Sequence, residues 1–320
     1  MYAVFRKELA DHLSSKRFII LFILIFLAAI FATYIAFHNI RGEVSPTTEF
    51  IFLKLFTVSA EGWPNVLPPP FIFFISLFIP IIGIALGFDA ISSERASGNL
   101  SRLLSQPIYR DSVINGKFLA GLFVLAIIIA SVIAIVAGLG LRLIGVPPGS
   151  EEVLRIIVFA LVSIIYGAFW MALAVLFSVL FNSAATSMLA SLGLWIFFFF
   201  FMYIFPVIPE AVASASVPID QNSSLEMLTK HVEIGGIIGR ISPCTLYGEA
   251  VAALVIPELG SLNPVLLAIS IFYAGRMLTP LPFGQSLLLV WPQLVSIVAL
   301  AAVCFAVSYI RFMRQEIRSI

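Results

Sequence analysis

The sequence predicts an all-α integral membrane protein with six transmembrane helices. Two observations carry this expectation. Hydrophobic residues make up 61% of the 320-residue chain and charged residues 11%, against about 45–50% and about 25% in soluble domains. A soluble core of this length cannot hide that much apolar surface, so the excess faces lipid. Six runs are also long enough to cross a bilayer core, which needs about 20 apolar residues in a helix. They cover 18–37, 71–88, 118–141, 156–181, 187–208 and 287–310, and none holds an Asp, Glu, Lys, Arg or His. In lipid every backbone amide must be satisfied within its own segment, and runs this long exceed a barrel strand, so helices are the form they take.

The elements follow in chain order within a single transmembrane domain, 1–320. Residues 1–17 read as an amphipathic interfacial helix: Phe5, Leu9 and Leu13 recur every four residues, while Arg6, Lys7, Glu8 and Asp11 take other faces. The first run follows Arg6, Lys7, Lys16 and Arg17 as a signal peptide would, but it is longer than a signal core and has no convincing cleavage site, so it is read as a span. Between the second and third runs, 89–117 is the most distinctive polar stretch. There Asn99 is placed to cap a short helix carrying Leu100, Leu103 and Leu104 on one face, and Pro107 ends it. Three leucines on a polar segment need a cover, either the membrane or another protein. Asn182 and Ser183 form a turn tight enough to make the fourth and fifth spans antiparallel neighbours. The segment 209–286 is long, with a polar tip at Asp220–Ser224 and apolar pieces at 246–256 and 265–273 that are too short to span and read as interfacial or re-entrant.

Basic residues set the orientation. Arg6, Lys7, Lys16 and Arg17 fall on the same side as Arg95, Arg102, Arg110 and Lys117, and as Arg311, Arg314 and Arg318. The opposite side carries Arg41, Lys54, Arg142, Arg155, Lys230, Arg240 and Arg276 over longer loops. Both termini are therefore expected in the cytoplasm.

The motif inventory excludes several chemistries. None of the five lysines precedes Ser or Thr, so no phosphate-binding loop is present. Gly235-Gly236-Ile237-Ile238-Gly239 has no preceding strand and reads as loop flexibility. There is no Gly-x-Ser-x-Gly or His-Glu-x-x-His, and His12, His38 and His231 are scattered, so neither a catalytic site nor a metal site is expected. Cys244 and Cys304 are too few for a disulfide framework. The near balance of 18 basic and 17 acidic residues gives no reason to expect nucleic acid. Asn222-Ser223-Ser224 fits a glycosylation acceptor, which matters only in a secretory-pathway host.

Ion-coupled carriers place a titratable group at membrane depth to hold the coupling ion. The six runs have none, which points to an energy source outside the chain. Two runs instead carry small or polar faces: Ser76, Pro80, Gly83 and Gly87 in the second, and Ser183, Ser187 and Ser191 at the fifth. Such faces serve close helix packing or a dimer interface, or they line a pathway in which Pro80 supplies a kink.

The loop reads Asp-x-Ile-x-x-Glu-Arg-x-x-Gly-x-Leu-x-x-Leu-Leu-Ser-x-Pro-x-x-Arg from Asp89 to Arg110, followed by Gly116-Lys117. This pattern resembles the ABC-2-type exporter permeases, and within them the NosY-like branch of nitrous oxide reductase maturation. Lys7-Glu8 in the N-terminal helix and Ile241-Ser242-Pro243 with Leu246-Tyr247 extend the similarity, and the six-span plan covers nearly the whole chain.

The resemblance implies that two permease copies, as a homodimer or a sibling heterodimer, pair with two ATP-binding cassette subunits that use ATP and Mg. The chain itself would hold no cofactor. It also implies that 89–117 is the coupling segment, with Glu94, Arg95, Gly98, Leu100, Arg102, Leu103 and Leu104 meeting the ATPase. Residues 1–17 would form an elbow helix. The fifth span would contribute to the dimer interface and pathway, and 242–256 would belong to a re-entrant helix pair. The expected setting is the cytoplasmic membrane of a bacterium or archaeon. Two readings stay beside it: a secondary carrier or channel, and an anchor or assembly subunit for an extracytoplasmic complex. An intramembrane enzyme would need catalytic side chains at membrane depth, and none is found.

Overall fold

The computed structural model describes residues 1–40, 50–57, 71–98, 109–203, 207–218, 225–257 and 280–314. Among these the chain is helical, with no strand. Five of the described helices are long and apolar enough to cross a membrane, and one of them acts as the hub.

The chain opens with α1 (Tyr2–Ser14) and α2 (Lys16–Ile40). Ser15 separates them. It is extended, its hydroxyl donates to His12 O at 2.9 Å, and it accepts from Phe18 N at 3.1 Å. One residue thus ends one helix and starts the next. The short α3 (Ile51–Thr57) lies inside the core, and α4 (Phe71–Gly87) runs straight through Pro80. Then come α5 (Ser92–Ala96), α6 (Arg110–Ile144) and α7 (Ser150–Leu180). After a break at 181–183 follow α8 (Ala184–Tyr203), α9 (Val207–Ser216), α10 (Leu225–Gly239), α11 (Pro243–Val255) and α12 (Phe283–Arg314).

The hub is α7. Helices α4, α6, α8, α11 and α12 all pack on it, and its apolar window is 56% buried against 17% for α12 and 22% for α2. The last two are therefore peripheral and show apolar faces outward, as Leu288, Trp291 and Val303 do on α12. The seam between α4 and α7 depends on two glycines. A Cβ at Gly83 would stand 2.6 Å from Gly167 O, and one at Gly87 would stand 2.7 Å from Met171 O. Only hydrogen at these positions lets the two backbones come this close.

Several expectations change. The third span begins at Arg110 rather than 118, so Lys117 lies inside a membrane-length helix. Of the run at 187–208, residues 187–203 lie in α8 and 207–208 in α9, and 204–206 lie outside the described residues. The apolar stretch of α8, Ala184–Phe200, is shorter than the five spanning candidates. Gly235 and Gly236 sit within α10, not in a loop. Arg155 belongs to α7 and is fully buried, not a loop charge. The turn at Asn182 and Ser183 does bring α7 and α8 together. Residues 265–273 and Asp220–Ser224 lie outside the described residues.

Candidate functional site

The expected coupling segment is described at its two flanks. Glu94, Arg95 and Gly98 are seen; Leu100, Arg102, Leu103 and Leu104, with Asn99 and Pro107, lie outside the described residues. On the incoming side α5 is pinned to the end of α7. The Ser178 hydroxyl accepts the backbone amides of Ile91 at 2.9 Å and Ser92 at 3.0 Å, satisfying donors that a helix start leaves open. The Arg95 guanidinium donates to Asn182 Oδ1 at 2.9 Å and to Val179 O at 3.2 Å, where α7 ends. A cation there meets the negative end of the helix dipole and satisfies a terminal carbonyl. Gly98 follows at φ +70°, a left-handed conformation that glycine adopts without strain.

On the outgoing side Arg110 donates to Met313 O at 3.4 Å, near the end of α12. Between the two clamps, Ile91, Val113, Ile114, Val175, Val179 and Phe312 form a separate buried apolar cluster. Both ends of the loop thus stand on one platform built from the ends of α5, α6, α7 and α12.

The platform is wired to α1 through one lysine. Lys117 Nζ lies 2.9 Å from Glu8 Oε1 and 2.8 Å from Glu94 Oε1, with its side chain 7% exposed. Lys7 also pairs with Glu8 at 3.2 Å. Burial alone would raise the Glu8 carboxyl, but the Lys117 and Lys7 ammoniums outweigh it and hold Glu8 below the usual carboxylate range. Burial pushes the His12 imidazole down. On α1, Val4 and Glu8 are the buried residues, Val4 sits against Gly116 of α6, and Leu13 is 41% exposed.

The small-residue faces are mostly buried. Ser76, Pro80, Gly83 and Gly87 are buried in α4. Ser187 and Ser191 are buried on α8, while Ser183, just before it, is exposed; Ser191 Oγ donates back to Ser187 O at 2.8 Å.

Two buried polar centres at the other end of α7 were not singled out from the sequence. Arg155 donates to Leu254 O at 2.9 Å, Ser286 Oγ at 3.1 Å, Glu151 Oε1 at 2.8 Å and Leu281 O. It thereby fastens the end of α11 and the start of α12 to α7. One turn earlier, Glu152 accepts the amides of Phe52 at 2.9 Å and Gly149 at 2.8 Å, so a single carboxylate caps both α3 and α7. Deeper along α7, Tyr166 stacks on Tyr247 at 4.1 Å, and the Tyr247 hydroxyl is 2.8 Å from Ser163 Oγ. Tyr247 belongs to the Leu246-Tyr247 pair noted in the sequence, and its partners on α7 had no spacing signal to announce them.

Among the described residues no group of His, Cys, Asp and Glu is arranged to hold a metal ion. No curated protein matches the chain. A family model described as ABC-2 family transporter protein matches residues 2–317. A match over nearly the whole chain, on an all-helical protein with several membrane-length helices, places this protein in the ABC-2 family of transporters as a membrane permease.

Proposed function

We propose that the chain is the transmembrane subunit of an ATP-driven exporter, working as a dimer with a separate ATP-binding subunit that docks on 89–117. The observation that carries this reading is the construction around the loop. A segment that only connected two spans would need no more than water for its polar groups. Here Arg95 and Arg110 clamp its flanks to the ends of α7 and α12, and Glu94 ties it through Lys117 to α1. A push on the loop is therefore delivered to three helices at once.

In the proposed cycle, ATP closes the two partner subunits on each other and draws the two coupling segments together. The clamps pass that motion to α7, and α7 carries α4, α11 and α12 with it, opening the dimer outward. Leu100, Leu103 and Leu104 would bury against the ATPase. In this reading α1 is the elbow helix, α8 is a sixth span beside the dimer interface, α11 is half of a re-entrant pair, and both termini are cytoplasmic in a bacterial or archaeal cell membrane. Of the three serines, Ser183 is the exposed one and would be nearest a partner copy. The NosY-like branch rests on the loop motif together with Ile241-Ser242-Pro243.

The test is binding of an ATP-binding subunit from the same source. Glu94→Gln with Arg95→Gln should weaken ATP-stimulated transport while leaving the helical content unchanged. Full ATPase coupling in that variant would remove the proposed role of 89–117.

A further inference from the structure

A cavity of about 440 Å³ opens where α1, α2, α4, α5, α6 and α7 meet, a volume in the range of small-molecule sites. Its lining is of two kinds. Charged side chains of both signs form part of it, Lys7, Lys16 and Lys117 beside Glu8, Asp11, Asp89 and Glu94. Apolar side chains form the rest, among them Phe18, Ala85, Ile128 and Met171. Lys117 and Ile128 are on the same helix, so the lining spans about 16 Å along α6 at 1.5 Å per residue. One atom of the charged part is unsatisfied: Glu94 Oε1 pairs with Lys117, but Glu94 Oε2 is buried and has no hydrogen-bond donor among the described residues. A buried carboxylate oxygen without a donor is costly and marks a place for one.

We propose that this cavity binds a membrane phospholipid whose headgroup carries a primary amine. The ammonium supplies Glu94 Oε2 with the N–H it lacks, the adjoining phosphate meets Lys7 and Lys16, and the upper part of an acyl chain lies against Ala85, Phe118 and Met171. A simple cation would leave the apolar wall unused, and an anionic amphiphile would set its charge against Glu94. A trimethylammonium headgroup has the charge but no N–H to give. The site therefore discriminates among lipids by hydrogen bonding. The proposal rests on the membrane placement of the family and not on the ATPase reading, so either can fail alone.

The test is native mass spectrometry of the full-length chain in detergent, titrated separately with phosphatidylethanolamine, phosphatidylcholine and phosphatidylglycerol. Phosphatidylethanolamine should be retained at about tenfold lower concentration than phosphatidylcholine, in keeping with one charge-assisted hydrogen bond. Glu94→Gln should bring the two within about twofold. Because that change also touches the Lys117 pair, Ala85→Leu, which fills the wall and leaves every charge in place, should lower retention of all three lipids. Equal retention of the three lipids by the native chain, or an amine preference that survives both variants, would overturn the proposal. So would competition by water-soluble phosphoethanolamine as effective as the lipid itself.

Discussion

Lys117 stands 2.8 Å from Glu94, joining the first residues of the loop platform to a helix that crosses the bundle. The same ammonium reaches Glu8 at 2.9 Å, so three elements share one buried charge. Removing it leaves two carboxylates facing each other out of water. Lys117→Ala should destabilise the docking of α1 and α5 by about 3–5 kcal/mol, the cost of leaving a buried pair half-made. Hydrogen exchange of residues 2–14 and 92–96 checks this. Glu8→Gln and Glu94→Gln with Lys117→Met should cost clearly less than Lys117→Ala, since no unpaired charge is left at either carboxylate.

The attachment of α1 should loosen in acid, in two stages. His12 is held below its ordinary 6.5, so the folded state resists the proton that the free chain accepts, and stability falls as pH drops below about 6.5. Glu8 is held below its ordinary 4.5, so its contribution is complete above that value and is lost as pH falls through its lowered folded value. Hydrogen exchange of residues 2–14 followed from pH 7.5 to about 3 should show both stages. His12→Asn should remove the first, and Glu8→Gln the second.

Arg155 is the corresponding joint at the far end of α7. Arg155→Ala should release the carbonyls of Leu254 and Leu281 together and cost about 3–5 kcal/mol. Arg155→Lys should recover only part of it, because an ammonium lacks the planar fork that reaches several acceptors at once. Thermal unfolding in detergent measures both.

The helix seam is testable by volume. Gly83→Leu has no room beside Gly167 O and should cost about 1–3 kcal/mol or more. Gly193, with nothing within 4 Å of its Cβ position, is the matched control, and Gly193→Ala should change melting by much less.

Much of the fold was legible because hydropathy and length decide which segments can sit in lipid. The runs at 18–37, 71–88, 118–141, 156–181 and 287–310 each became a membrane-length helix. The turn at Asn182 also did what its residues suggested. What sequence could not show was pairing across the chain. Lys117 and Arg155 look like loop charges, because a run is cut where charge appears. Each is instead carried inside a helix by partners far along the chain, as Glu8 is for Lys117 and Ser286, 131 residues away, is for Arg155. On α1, the burial of Glu8 was equally hidden, because its partner Lys117 is far along the chain.

The central claim is that 89–117 is the surface an ATP-binding subunit grips. The most direct measurement is co-elution in detergent of this chain with an ATP-binding subunit from the same source, comparing native protein with Leu103→Asp. The account predicts a stable complex for the native chain and its loss in the variant, with the permease itself eluting unchanged. A complex that survives Leu103→Asp and Leu104→Asp together would contradict it.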